Sequence, residues 1–258
     1  MRPLLPVLAA LLAALLLPAG PACADPGGAG PLDLLLVLAV DASGSVDDGE
    51  YALQLGGIAA ALRAPEVQQA IAEGARGSIA VNLAVWSEAN RPKDSSGWQR
   101  IDGPASAERV AQLIERFPRR VVRGGTGIGK ALQYAAWQIG QSGLAADRKV
   151  IDVSGDGSET PFREWSLDIA QGRAFALLRG ITINGLAIVQ DEPGLADYYR
   201  RHLIGGAGAF VEVASGYADF AAAIRRKLIR EIEGRPLVGR LPDSCRHRPC
   251  GQALATAW

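Results

Sequence analysis

Three side chains with hard oxygen donors stand at every second position of one short segment, as Asp41, Ser43 and Ser45. They directly follow the uninterrupted apolar run 34–40, which is typical of a strand buried on both faces in a parallel sheet. The end of such a strand is where open α/β sheets bind ligands. Oxygen donors in a turn that contains glycine can converge on Mg²⁺ or a similar cation. The segment therefore predicts a cation site at one edge of a sheet.

Two further polar segments are expected at the same edge. Thr126 lies in the glycine-rich run 124–130, ahead of a predicted helix, and Asp156 follows a later predicted strand. In a doubly wound sheet, all of these loops fall on the edge formed by the carboxyl ends of the strands. Together with the first segment they offer two carboxylates and three hydroxyls. This donor set suits an octahedral hard cation with room for water or an outside oxygen.

The elements that must position these side chains alternate along the chain. Strand patterns are predicted over 34–40, 79–85, 98–101, 150–153, 181–189 and 210–213. Helical patterns are predicted over 47–64, 110–117, 128–139, 165–178, 195–203 and 217–232. Strands that alternate with helices imply right-handed crossovers between parallel strands. The predicted fold class is therefore α/β, with a doubly wound, mostly parallel central sheet flanked by helices on both faces.

Specific expectations attach to three of these elements. Asp47 or Asp48 is predicted to cap the first helix, with Glu50 at the capping-box position relative to Asp47 and Pro65 limiting the length of the helix. Asp152, in the middle of a strand, is expected to face a flanking layer, where a buried carboxylate needs partners. The last helix is predicted to present a solvent-exposed charged face rather than a binding patch. The charged residues of that face are Arg225, Arg226, Lys227, Arg230, Glu231 and Glu233.

The first 24 residues are predicted to be a secretory signal peptide. Arg2 precedes the apolar stretch 4–17, and an A-x-A cleavage site ends at Ala24. The apolar stretch is short for a membrane span, and no later stretch is long and apolar enough for one. We therefore expect a periplasmic or secreted protein that has no membrane span after signal cleavage.

The C-terminal residues 233–258 are predicted to be a tail that carries Cys245 and Cys250. In an oxidising compartment, a small local disulfide is the simplest expectation for this pair. A metal site that also used His247 would have only three donors, whereas structural zinc sites need four.

The charge balance gives no support to nucleic-acid binding. The chain has 27 Lys and Arg against 27 Asp and Glu, so no global field favours a polyanion. Aromatic residues are few, and no basic stripe alternates with them. Nucleic acid is therefore not an expected partner.

Taken together, the oxygen-bearing segments resemble the von Willebrand factor A domain. The pattern Asp41-x-Ser43-x-Ser45, with Thr126 in its glycine-rich run and Asp156-Gly157, is similar to that family's metal-ion-dependent adhesion site at all five ligand positions. The resemblance covers roughly residues 32–232 and is closest to an uncharacterised, exported bacterial subgroup. One departure is that Ser154-Gly155 stands where the family usually has Thr before the Asp-Gly pair.

The resemblance implies a function as well as a fold. It implies a cation, Mg²⁺ or else Mn²⁺ or Ca²⁺, at the top edge of the sheet, completed by an Asp or Glu carboxylate from a partner protein. On this basis Asp41 is the main carboxylate, and Ser43 and Ser45 give direct hydroxyl contacts. Thr126 is expected to be a direct ligand in the ligand-bound state, and Asp156 to act through water. The implied protein is an exported binding module without catalytic turnover.

An enzymatic alternative stays open at this point. Haloacid-dehalogenase-like phosphohydrolases also place a nucleophilic Asp after the first strand, and Asp41 would take that role with Mg²⁺. Their second carboxylate, two residues later, is missing because Ser43 stands there, and a hydroxyl cannot serve as a general acid at neutral pH. The remaining parts could be supplied by Lys130 or Lys149, and by Asp156 with Glu159.

Overall fold

A mostly parallel sheet lies at the centre of the computed structural model, which describes residues 30–160 and 166–234. The strands found in these ranges are β1 Leu32–Asp41, β2 Ile79–Trp86, β3 Asp94–Ser95, β4 Gln99–Ile101, β5 Ala146–Gly155, β6 Thr182–Ile188 and β7 Val211–Ala214. Their order is β3-β2-β1-β5-β6-β7, and β4 also pairs with β2. The short strands β3 and β4 run antiparallel to β2, whereas β2, β1, β5, β6 and β7 are parallel. The predicted fold class is confirmed.

Helices cover both faces of this sheet. In the described ranges they are α1 Asp48–Arg63, α2 Pro65–Ala72, α3 Pro104–Glu115, α4 Ile128–Gly140, α5 Ile169–Leu177, α6 Leu195–Tyr198 and α7 Tyr217–Glu233, with a π-helical turn, Tyr199–Leu203, directly after α6. One apolar core lies between the sheet and α1, α2, α3 and α7. A second lies between the opposite face and α4, α5, α6 and the π-helical turn. The site segments therefore leave a sheet that is covered on both sides.

The position of β1 between two apolar cores explains why its sequence does not alternate between apolar and polar residues. Leu34, Leu36 and Leu38 belong to the first core, whereas Leu35 and Val37 belong to the second. All ten residues of β1 are buried. Residues 34–40 must therefore be apolar on both faces of the strand, and the next polar side chain along the chain, Asp41, comes at the strand's end.

The first helix begins as predicted and is followed by a helix that was not predicted. The Asp47 side chain accepts a hydrogen bond from the Glu50 backbone N–H at 2.7 Å, and the Glu50 side chain accepts one from the Asp47 N–H at 2.8 Å. This capping box confirms the predicted start of α1. The helix ends at Arg63, but Pro65 begins α2 instead of a loop. Proline favours the first helical turn, where its missing N–H has no intrahelical partner in any case.

The charged face predicted for the last helix is wrong at two positions. Lys227 and Glu231 are buried, with exposed fractions of 0% and 3%. The Lys227 ammonium lies 2.6 Å from Asp152 Oδ1 and 2.5 Å from Glu231 Oε1. The Asn184 side chain also donates to Glu231 Oε1, at 2.8 Å. Asp152 on β5 was predicted to need partners. Because α7 packs against the sheet, Lys227 of that helix supplies the positive charge next to Asp152. Arg225 is exposed, as predicted.

Several predicted segments lie outside the described residues, namely the signal peptide 1–24, Trp165 and the cysteines Cys245 and Cys250. The helix predicted over 165–178 corresponds, in its described part, to α5. Helix α3 begins at Pro104, earlier than the predicted 110. Within 30–160 and 166–234, no helix is long and apolar enough to cross a membrane.

Candidate metal-binding site

The carboxyl edge of the sheet brings four of the predicted side chains together. Asp41 ends β1, and Asp156 directly follows β5, the parallel neighbour of β1. The Ser45 hydroxyl donates a hydrogen bond to Asp156 Oδ1 at 2.8 Å, and the Ser43 and Ser45 hydroxyl oxygens lie 3.2 Å apart. The Ser43 backbone N–H donates to Asp41 Oδ1 at 2.7 Å. The two serines therefore connect the two carboxylates: Ser43 contacts Asp41 through its backbone N–H, and its hydroxyl contacts the Ser45 hydroxyl that donates to Asp156.

Thr126 approaches this cluster from the glycine-rich loop ahead of α4. The two loops are joined by a hydrogen bond from the Gly44 N–H to the Gly124 carbonyl, at 2.7 Å. The Thr126 N–H donates to the Thr160 hydroxyl at 3.0 Å, which ties the loop to the segment after Asp156. The Thr126 hydroxyl lies 3.6 Å from the point that a Cβ at Gly157 would occupy. The structure thus places Thr126 beside the loop that carries the second carboxylate.

The negative charge of Asp41, which lies next to Asp156, is only partly stabilised by hydrogen bonds. Burial and, to a lesser extent, the negative charge of Asp156 raise the pKa of Asp41 from 3.8 to about 7, and the hydrogen bond from Ser43 and the charge of Arg119 only partly offset this. Asp41 Oδ2 is buried and has no hydrogen-bond partner among the described residues. No cluster of three or more His, Cys, Asp or Glu side chains that could hold a metal occurs in these residues. The donors offered at this edge are two carboxylates and hydroxyls, oxygen ligands of the kind that hard divalent cations take.

Two tyrosines that the sequence did not indicate flank the carboxylates. Tyr217, the first residue of α7, donates its hydroxyl to Asp156 Oδ2 at 2.9 Å. The Tyr199 hydroxyl, in the π-helical turn, is buried without a hydrogen-bond partner among the described residues. A Cβ at Gly155 would lie 2.9 Å from both this hydroxyl and Asp41 Oδ2. Any side chain at position 155 would force one of these two oxygens to shift, which gives a packing reason for the glycine in Ser154-Gly155.

Arg119 fixes the turn that carries the serines. Its guanidinium donates hydrogen bonds of 2.9 to 3.2 Å to four backbone carbonyls of this turn, those of Ala42, Ser43, Val46 and Asp47. Only 11% of the Arg119 side chain is exposed. Carbonyls that point at a buried cation cannot easily turn elsewhere, so the arginine holds the hydroxyls in place. Arg119 is distant in sequence from the turn, and no local pattern indicated this role.

The parts required by a phosphohydrolase are not assembled at this edge. The Glu159 side chain accepts hydrogen bonds from the Gly129 and Ile169 backbone N–H groups, so it caps the starts of α4 and α5. The Lys130 ammonium donates to the Gln133 side chain at 3.1 Å on the surface of α4. Lys149 lies toward the beginning of β5, whereas Asp156 follows its end. Within the ranges that the structure describes, Glu159 and Lys130 are therefore engaged elsewhere and Lys149 lies toward the opposite end of β5, so none of the three serves Asp41 as this chemistry would require.

Comparison with solved structures places this fold among von Willebrand factor A domains. The von Willebrand factor domain of the type V pili tip protein Mfa5 from Porphyromonas gingivalis is similar with a TM-score of 0.51 at 14% identity, over 83% of this chain and 100% of that one. The pilus adhesin SpaC from Lactobacillus rhamnosus GG gives 0.55 at 14% identity, over 78% and 31%. Proximal thread matrix protein 1 from the mussel byssus, solved with a zinc-occupied MIDAS motif, gives 0.51 at 12% identity, over 80% and 49%.

These likenesses concern the fold. The chain spans about a third of the SpaC chain and half of the mussel protein. No relative was found among curated protein sequences. A family model described as "Protein of unknown function (DUF1194)" matches residues 31–236, which is most of the chain. The protein therefore belongs to the DUF1194 family, and its fold is that of a von Willebrand factor A domain.

Proposed function

We propose that this protein is a non-enzymatic binding module that recognises a protein partner through a divalent cation. The cation would be Mg²⁺, or else Mn²⁺ or Ca²⁺, and the partner would supply an Asp or Glu carboxylate. The proposed ligands are Asp41, Ser43, Ser45, Thr126 and Asp156. The observation that carries the proposal is the buried Asp41 carboxylate, whose Oδ2 has no hydrogen-bond partner among the described residues and whose neighbour is a second carboxylate.

The five proposed ligands would include both charged and neutral oxygen donors. Asp41 and Asp156 supply two negative charges, which balance a divalent ion, and the three hydroxyls add neutral oxygen donors. A bound cation supplies a positive centre that accepts one further anionic oxygen. Arg119 holds the serine turn, and Tyr217 keeps one oxygen of Asp156 engaged. The chain therefore orients its donors before any partner arrives.

Named relatives in fold support a binding role rather than catalysis. SpaC is a pilus adhesin, and Mfa5 is a pili tip protein. The mussel matrix protein was solved with zinc in its MIDAS motif, which supports a divalent cation at the same kind of site. With the signal-peptide pattern in residues 1–24, these names also support the proposal that the protein acts in the periplasm or after secretion.

The first test is a metal titration followed by thermal unfolding. Mg²⁺ at one hundred times its dissociation constant should stabilise the folded protein by roughly 2.7 kcal/mol, because it binds the folded chain and not the unfolded one. Asp41→Ala should abolish this stabilisation. Lys130→Ala is the matched control, since its ammonium contacts Gln133 on α4, and it should respond to Mg²⁺ like the wild type. The proposal fails if Mg²⁺, Mn²⁺ and Ca²⁺ all leave the unfolding temperature unchanged.

The second test separates binding from catalysis. A protein captured from cell envelope in Mg²⁺ should be lost when a chelator is added and when Asp41→Ala replaces the wild type. Replacing the contacting Asp or Glu of that captured protein by Ala should have the same effect. Mg²⁺-dependent phosphatase activity that disappears in Asp41→Asn would instead favour the phosphohydrolase.

A further inference from the structure

An exposed aromatic groove lies along α4, beside the candidate metal site. Its volume is about 550 Å³, and its walls include the rings of Tyr134, Trp137 and Phe175 and the loop that contains Pro92. The Trp137 side chain is 53% exposed. Its ring stacks on Tyr134, with centroids 6.3 Å apart and planes inclined by 30°. Tyr134 and Phe175 are half-buried, so the groove offers one exposed ring, that of Trp137, beside two partly covered ones.

The groove is also positively charged. Arg91, Lys93 and Lys130 line it, and none of the described residues that line it is an Asp or Glu. The Lys93 ammonium donates to three backbone carbonyls of its own loop, at 2.7 to 3.1 Å, so its charge is held at a fixed place. The nearby Glu88 pairs with Arg91 at 3.7 Å, so three positive side chains face one negative one, a net excess of two positive charges. A ligand with acidic groups therefore matches the groove better than a neutral or basic one.

The groove begins at the metal edge of the sheet. Helix α4 starts two residues after Thr126, and Lys130 lies in its first turn. The loop on the opposite wall is packed against the same segment, because a Cβ at Gly127 would lie only 2.4 Å from the Ala89 backbone nitrogen. From Ile128 to Trp137 the helix rises by about 14 Å at about 1.5 Å per residue. Four or five residues of an extended chain cover roughly that distance.

We propose that this groove binds the part of the partner chain next to its metal-bound carboxylate. That part would be an extended segment with aromatic or proline side chains for the Tyr134 and Trp137 rings, and with a second acidic side chain for Lys130. The inference rests on the proposed function for the position of the first carboxylate. It adds the chemistry of the partner: an acidic and aromatic peptide, five or six residues long.

The probe is an array of hexapeptides in the presence of Mg²⁺. Each peptide has Glu at one end, and the other positions vary among Phe, Pro, Asp, Lys and Ser. The full-length protein should retain peptides enriched in Phe or Pro together with Asp, and should reject those with Lys. Enrichment of Lys, or no enrichment at all, would overturn the proposal. So would binding of neutral oligosaccharides in place of peptides.

Matched variants then test the groove itself with one retained peptide. Trp137→Ala should weaken binding by roughly tenfold or more, as expected for a central aromatic anchor. Its control is Leu178→Ala, which removes an 86% exposed apolar side chain outside the groove and should bind like the wild type. Lys130→Ala should weaken binding by roughly threefold and reduce its salt dependence. Arg225→Ala, an exposed cation on α7, is the control for charge.

The two proposals fail in different ways. If a chelator abolishes peptide binding while Trp137→Ala and Lys130→Ala bind normally, the groove is excluded and the metal proposal stands. If Trp137→Ala abolishes binding and a chelator does not, the groove stands and the metal-dependent function is excluded. Lys130→Ala also distinguishes metal binding from peptide binding, because this variant should keep the full Mg²⁺ response and lose peptide affinity.

Discussion

Two pairs of buried carboxylates lie at opposite ends of α7 and differ in how their charge is balanced. At the start of the helix, Asp156 accepts a hydrogen bond from Tyr217, and Asp41 is its acidic neighbour. Near the end of the helix, Asp152 and Glu231 share the ammonium of Lys227. The pKa values of Asp41 and Glu231 are both raised to about 7, chiefly by burial and next by the charge of the neighbouring carboxylate. The first pair lacks the lysine that the second pair has.

This difference separates a structural site from a candidate ligand site. Two carboxylates in a buried environment repel each other, and each loses hydration. Lys227 balances the charge of Asp152 and Glu231, and these ion pairs tie β5 to α7. At the metal edge, the two carboxylates accept hydrogen bonds, among the described residues, from hydroxyls and a backbone N–H. The charge of Arg119 lowers the pKa of Asp41, but burial and Asp156 raise it by more, so this pair favours a proton or a cation from outside. The comparison can therefore be tested by replacing Lys227 near the end of α7 and Asp41 at the metal edge.

The largest effect is expected from Lys227→Met. Removing one partner of a buried ion pair leaves uncompensated charge, which typically destabilises a protein by about 3–5 kcal/mol. Urea unfolding in a chelator should show this loss. Arg225→Met on the exposed face of the same helix should change stability by less than about 0.5 kcal/mol. A loss below about 1 kcal/mol for Lys227→Met would show that the lysine does not balance this carboxylate pair.

The opposite sign is expected for Asp41→Asn in the metal-free protein. A pKa raised from 3.8 to about 7 means that the ionised carboxylate is disfavoured in the folded state at pH 8. At about 1.4 kcal/mol per pKa unit, a rise of about three units means that removing this charge should stabilise the fold by on the order of 4 kcal/mol. Urea unfolding at pH 8 with chelator measures this. Asp197→Asn, at an exposed ion pair, should have little effect, and destabilisation by Asp41→Asn would contradict the comparison.

A smaller and pH-dependent effect is expected for cation affinity. Because the folded-state pKa of Asp41 is raised, the metal-free fold binds a proton more tightly than the unfolded chain between about pH 4 and 7. This contribution to stability is present at low pH and is lost as the pH rises through 7. A cation must displace that proton, so Mg²⁺ affinity should fall roughly tenfold per unit below pH 7 and level off above it. Calorimetric titration from pH 5 to 8 measures the profile, and equal affinities at pH 5 and 7 would refute it.

The smallest effect is expected from Tyr217→Phe, which removes the contact between α7 and the carboxylate pair at the metal edge. The loss of one hydrogen bond to Asp156 should destabilise the metal-free protein by about 1 kcal/mol. Tyr198→Phe, whose hydroxyl has one long contact of 3.4 Å to the Glu159 N–H, is the control. Thermal unfolding of the two variants compares them, and equal stabilities would show that the Tyr217 contact does not support the pair.

Much of the fold was predictable because its signals are local. The apolar run 34–40 indicated a strand covered on both faces, and Asp47 with Glu50 indicated the start of α1. Pro65 was a correct helix limit, but the same residue also begins α2, because proline suits both the end of one helix and the first turn of the next. Lys227 was misjudged, since a lysine among arginines and glutamates has the same local pattern whether solvent or a buried carboxylate is its partner.

What the sequence determined by itself is the set of oxygen donors and the strand and helix order that brings their loops to one sheet edge. These follow from local composition and from the rule that parallel strands end on a common side. Tertiary structure alone decided which groups surround those donors: Arg119 on the serine turn, Tyr217 on Asp156, and Lys227 on the other carboxylate pair. Such contacts join residues far apart in the chain, and their energies depend on burial, which no stretch of sequence contains on its own.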